Sequence, residues 1–211
     1  GAITIKSATN VGGDTLASTA TGNIFAASVK QTAAAIDGTT HFAQIETTGA
    51  VTLTGVNLKL SDTVSASVVT LTETGTIDID KAITTTGNVI VNATGVTTIL
   101  AAGKITATGP SATVTFGDGA AIYTGSLTTA GDITTNNGTV TFNNAVILSD
   151  SIAITTDTGV GDIDFENTIT GSGNDLELTA GTGDIVFANG KAIGATAAKL
   201  GAITINSATN V

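Results

Sequence analysis

The chain has no cysteine, methionine or tryptophan, and none of its 211 residues is arginine. Without cysteine there can be no disulfide, no thiolate nucleophile and no cysteine-type zinc site. Proline occurs once, and aromatic residues make up 3 %. Positive charge is scarce: seven lysines (6, 30, 59, 81, 104, 191 and 199) face 17 acidic residues, for a net charge of −10. That balance repels a polyanion and offers no guanidinium fork, which argues against nucleic acid or an anionic membrane surface as partner. Long apolar runs are missing too. The stretches are short, as at Ile99–Ala102, whereas a transmembrane helix needs about 20 such residues. Residue 1 is glycine, and no basic stretch followed by an apolar one opens the chain. The expectation is a fragment or processed product whose export signal lies outside the sequence given.

What is present points to strands. Threonine is about one residue in five, there are 26 glycines, and 41 % of residues are apolar. Threonine, valine and isoleucine favour strands, and glycine punctuates turns. This much apolar content with so little charge is unlike a disordered chain. An all-β fold is expected.

Two levels of repetition organise it. Residues 1–11 (GAITIKSATNV) recur as 201–211 (GAITINSATNV), identical at ten of eleven positions with only Lys6 against Asn206 different, at an offset of 200. A unit of about 200 residues followed by the start of the next unit is the simplest reading. The finer level appears in Gly138-Thr-Val-Thr-Phe142, Gly161-Asp-Ile-Asp-Phe165 and Gly183-Asp-Ile-Val-Phe187, spaced by 23 and 22 residues. An apolar residue follows each phenylalanine (Val146, Ile169, Ile193), and Ile152-Ala-Ile154 and Leu176-Glu-Leu178 lie between. Weaker echoes run upstream at Ala112–Phe116, Gly75–Ile79, Val89–Val91, Leu58–Leu60 and Val51–Leu53. Each alternates apolar and polar, as a half-buried strand does. A module of about 22 residues with two or three short strands is the size of one solenoid coil. Stacking roughly nine such coils buries a shared aliphatic column. The inward candidates are Val140, Phe142, Ile163, Phe165, Leu176, Leu178, Ile185 and Phe187, with Ile3, Ile5, Ile203 and Ile205 at the repeat seam. Residues 12–48 fit poorly. Within them, Phe25, Val29 and Ile36 have helix-compatible spacing, so a short helix or an elaborated coil is expected over 24–36.

The run from Gly161 to Phe187 resembles giant repetitive bacterial surface proteins, the filamentous-haemagglutinin-like adhesins and β-strand-repeat proteins. The resemblance is strongest over 130–205, fair over 50–130 and poor over 12–48. It implies a right-handed parallel β-helix, export to the cell surface, and a role in attachment, sheath or matrix. Neighbouring repeat units, and laterally associated fibres, would be the partners.

Other readings stand beside it. Asn137-Gly138 and Asn189-Gly190 are hairpin signals, so Ile133–Phe142 could be one hairpin of a β-sandwich fibre subunit. An enzyme is not expected. The single histidine, His41, is followed by no acidic residue until Glu46, and no nucleophile-elbow motif occurs. Asp78 and Asp80, or Asp162, Asp164 and Glu166, are read as solubilising charges. No cofactor is expected. As a metal site, Asp132, Asp162 and Asp184 each follow glycine and could hold calcium if stacked, but each is read as accepting the N–H groups of its own corner. Two binding functions remain as alternatives: adhesion to a glycan or partner surface, although only Tyr123 could stack a sugar in the absence of tryptophan, and ice binding through outward threonines, although Thr141, Asp164 and Val186 form a mixed row.

Overall fold

The computed structural model describes residues 2–5, 10–11, 24–26, 28–31 and 39–211. They form a parallel β-solenoid. Each turn contributes one short strand to each of three parallel sheets, which hold nine (A), eight (B) and nine (C) strands. The three kinds of strand read within each coil fall one kind to a sheet. Val140–Phe142, Ile163–Phe165 and Ile185–Phe187 are successive rungs of sheet A, Val146–Leu148 and Ile169–Gly171 of sheet B, and Ile152–Thr155 and Leu176–Thr179 of sheet C. Ile193 continues sheet B as a single bridge to Ile169.

Every ladder among the described residues is parallel, apart from one isolated antiparallel bridge between Ala195 and Ala198. That removes the sandwich alternative. The Asn137-Gly138 pair does not close a hairpin, because Ile133–Asn136 belongs to sheet C and Val140–Phe142 to sheet A. It forms a corner instead. Asn137 takes a φ of 61°, and a Cβ on Gly138 would run into the Ala112 carbonyl of the rung below. The helix-compatible segment is also corrected: Ile24–Ala26 and Ser28–Gln31 are strands, and residues 27 and 32–36 lie outside the described residues. Pairing with neighbouring rungs decides this against local spacing. For the same reason Thr39–Phe42 and Ile45–Thr47 are ordinary strands within the region expected to be irregular. Turn length is less uniform than 22 residues. It ranges from 18 (Ala50 to Val68) to 31 (Asn10 to His41), because strand lengths are held by pairing while corners absorb insertions.

The interior is a set of columns. Val51, Val69, Val89, Val114, Val140, Ile163 and Ile185 stack along sheet A, each at most 1 % exposed. Beside them Phe116, Phe142, Phe165 and Phe187 form one ladder, with ring centroids 5.3, 4.8 and 5.4 Å apart and planes within 6° of parallel. These separations suit offset stacking. The sequence-selected Leu176 and Leu178 are buried in sheet C, while Phe187 is half-buried on the last rung of sheet A. Of the seam residues, Ile3 and Ile5 lie in a strand of sheet A. Ile203 and Ile205 lie in sheet C, 40 % and 39 % exposed, stacked on the buried Leu176 and Leu178.

Several threonines occupy inward positions, where alternation leads one to expect apolar residues. Thr85, Thr129, Thr135 and Thr156 are buried and each donates its hydroxyl to the carbonyl of a following corner glycine: Gly87, Gly131, Gly138 and Gly161. A buried carbonyl left unpaired at a sharp corner is costly, so the inward hydroxyl satisfies a backbone group that no neighbouring strand reaches.

Candidate functional site

The candidate metal ligands divide between two corners. Asp162 and Asp184 precede adjacent strands of sheet A, whereas Asp132 precedes Ile133–Asn136 of sheet C. They therefore cannot act as one set of three. The glycine before each marks a corner, but not the same corner. Along the sheet A corner the side chains form a ladder between turns. The Asp162 amide donates to Thr139 Oγ1 (3.4 Å), the Asp184 amide to Asp162 Oδ1 (2.8 Å), and Asn210 Nδ2 to Asp184 Oδ1 (2.9 Å). The amide each aspartate satisfies belongs to the next turn, not to its own corner as the sequence reading had it. Other corners repeat the device: Asn57 accepts from the Thr76 amide, Asn88 from that of Thr113, and Asp175 from that of Ala202.

Asp132 has its own partners, Lys104 Nζ at 2.6 Å and the Ala153 amide at 3.0 Å. Partial burial pushes its carboxyl pKa up, but the Lys104 and Ala153 bonds outweigh this and leave it below the ordinary aspartate value. Among the described residues there is no group of three or more potential metal-ligating side chains. Because amides and a lysine already occupy these carboxylates, excess EDTA is expected to leave the melting temperature unchanged. Asp162→Ala is expected to lower stability by about 1 kcal/mol by leaving the Asp184 amide without its acceptor. Thermal melts of both proteins, with and without calcium, check this; a fall in melting temperature with EDTA would restore the metal reading.

His41 faces outward on sheet B between Asn10 and Lys59, with Asp78 one rung further on. Lys59 is paired with Asp80 at 2.7 Å. On sheet A the outward row is mixed: Thr52, Thr70, Ile90, Thr115, Thr141, Asp164 and Val186. Asp164 is pushed up to about 6, first by burial against its neighbours and then by the charges of Asp162, Glu166 and Asp184.

Sheet C differs. Its register aligns Ser65, Thr84, Thr106, Thr134, Thr155, Thr179 and Ser207 in a single outward row over seven rungs. Among the described residues the hydroxyls of Thr84, Thr106 and Thr134 have no protein partner, while Thr155 accepts from the Asp157 amide and Thr179 from Asn206. A shallow groove of about 300 Å³ lies along the Thr106, Thr134 and Thr155 part of this row, bounded on its other side by Thr108, Asn136 and Asp157. Sequence reasoning missed the row because its members are 22, 28, 21 and 24 residues apart from Thr84 to Thr179, so only the pairing brings them together.

No family model, curated protein or solved structure matches the chain. What can be argued about function therefore comes from the solenoid, its outer faces and its repeated segment.

Proposed function

We propose that this chain is a structural unit of a bacterial extracellular fibre, sheath or surface stalk, of the kind suggested by its resemblance to filamentous-haemagglutinin-like and β-strand-repeat proteins, and that it is not an enzyme. The observation that carries the reading is the return of segment 1–11 at 201–211 in a fold whose core is shared from turn to turn. Such a stack extends without limit as units are added, each burying the apolar row left open by the one before. Ile203 and Ile205, apolar and 40 % and 39 % exposed directly above buried leucines, are suited to another rung. Its partners are then neighbouring units of the same kind, with lateral association between fibres.

Electron microscopy of the native cell surface and of a multi-unit chain tests the proposal. A smooth filament lengthening by about 43 Å per unit, nine rungs at the strand spacing, is the expected result. Separate globules on a string would contradict it.

The hydroxyl row of sheet C favours a second reading, a binding face for ordered water at an ice surface or for a neutral glycan. Thermal hysteresis and glycan-array binding, each repeated with Thr106→Lys and Thr134→Lys, separate these from a passive fibre. Loss of either activity in the variants would support a binding face, and no activity in the parent would remove it.

A further inference from the structure

The repeated segment lies on two different sheets. In its first copy, Ala2–Ile5 is a strand of sheet A, with Ile3 beside Val29. In its second, Ile203–Ser207 is a strand of sheet C, with Ile203 beside Leu176. Ten of eleven residues are identical, so intrinsic preference does not explain the difference. What differs is the ground beneath: the second copy is laid on eight preceding strands of sheet C.

On the tandem-fibre reading above, on which this inference rests, residue 203 of one unit is residue 3 of the next. The segment then has a single placement at every internal seam. We propose that this is the sheet C placement. When a unit follows another, its first segment forms a rung on Leu176–Thr179 of the preceding unit, and successive units join without rotating about the fibre axis.

Three observations support it. First, the contacts that seat the second copy come from residues the first copy also has. The Ala202 amide donates to Asp175 Oδ1 (2.6 Å), Ser207 Oγ accepts from the Gly181 amide (3.0 Å), Thr209 Oγ1 donates to the Thr182 carbonyl (2.7 Å), and Asn210 Nδ2 donates to Asp184 (2.9 Å). Ala2, Ser7, Thr9 and Asn10 are their counterparts. Asn206, whose Nδ2 donates to Glu177 Oε1 at 2.6 Å, has Lys6 as its counterpart. That one difference replaces an amide donor facing a carboxylate with an ammonium, and so turns the hydrogen bond into an ion pair across the seam.

Second, the spacing fits. Rungs of sheet C are separated by 19 residues (Val64 to Ile83) to 28 (Ile105 to Ile133), and Ile3 to Ile24 is 21. The apolar pair Ile3 and Ile5 also matches Ile24 and Ala26 in alternation.

Third, the turns close. Counted within sheet C, strands beginning at Ile24, Ile45, Val64, Ile83, Ile105, Ile133, Ile152, Leu176 and Ile203 follow Ile3, which makes nine whole turns per unit. A start on sheet A would leave a fraction of a turn over and shift every face by one sheet per unit. With whole turns, the hydroxyl row from Ser65 to Ser207 returns on the same side of every unit, and the fibre has one chemically distinct face.

The test uses a chain of two consecutive units, residues 1–200 followed by 1–211, in which engineered cysteines meet no native thiol. One protein carries Glu177→Cys in the first unit and Thr4→Cys in the second; these positions are register partners if the second unit's segment repeats the Glu177–Thr204 pairing. The other carries Thr4→Cys and Lys30→Cys in the second unit, partners in the sheet A placement. A short thiol cross-linker is expected to join the first pair in most molecules and to leave the second unjoined, whereas in the single 211-residue chain the 4–30 pair joins. Joining of 4 to 30 in the two-unit chain overturns the proposal. If solution scattering then shows one rod of about 86 Å, only the placement fails. If it shows two separately tumbling bodies, the continuous-fibre reading fails with it.

Discussion

Phe165→Asp is expected to unfold the turns around it. Phe165 is 1 % exposed, and its ring lies between those of Phe142 and Phe187, at 4.8 and 5.4 Å. Loss of a buried phenylalanine side chain alone costs about 3–5 kcal/mol. The aspartate adds an ionised group with no cation beside it in an apolar column, a cost of several further kcal/mol unless the group takes up a proton. In a solenoid each turn contacts only its neighbours, so the damage should spread along the stack but leave distant turns folded. Hydrogen exchange is expected to show lost protection from about Val140 to Phe187 and retained protection in the turns around Val69–Leu71. Asp164→Ala, one position away but outward, serves as the comparison and should leave these turns intact. A Phe165→Asp protein with parental urea stability would show that this residue does not face inward.

Glu73 gives the second large effect. It occupies an inward position of sheet A between Gly55 and Ala93, is 1 % exposed, and its Oε2 has no hydrogen-bond partner. Burial pushes its carboxyl up to about 8 from an ordinary 4.5. The folded chain therefore holds this proton more tightly than the unfolded chain. The stability it contributes is fully present below pH 4.5. It falls as pH rises from there, and is lost once pH passes about 8. The shift corresponds to roughly 5 kcal/mol at most, reduced by whatever solvent reaches the group. The narrow flanking residues make room for the carboxyl without giving it a cation. Glu73→Gln is expected to be more stable than the parent at pH 9, by a few kcal/mol, with little difference at pH 4. Urea denaturation of both proteins across that range checks the sign; parallel pH profiles would mean that Glu73 stays ionised with a partner.

Glu73 also illustrates how far the sequence could be read. The series Val69-Thr-Leu71-Thr-Glu73 alternates, so its third inward position was visible, but a charged residue there is not what the rule leads one to expect. The strands themselves, such as Ile163-Asp-Phe165, were legible because alternation is a property of three adjacent residues. The phenylalanine ladder was legible because the spacing of the Phe142, Phe165 and Phe187 turns is nearly constant. The hydroxyl row of sheet C was not, because the corner between Thr106 and Thr134 is longer than its neighbours. The aspartate corners were half legible. Glycine followed by aspartate marks a turn, but the amide that Asp162 satisfies is 22 residues away and becomes its neighbour only through stacking. The role of the inward Thr135 was not legible, because its partner, the Gly138 carbonyl, is a backbone group no side-chain pattern reveals.

A density map of the crystallised or fibrous protein would test the stacked parallel coil most directly. The rings of Phe116, Phe142, Phe165 and Phe187 are expected in one column, about 5 Å apart along a single axis. Rings on opposite sides of the molecule, or Ile133–Asn136 paired antiparallel with Val140–Phe142, would contradict it.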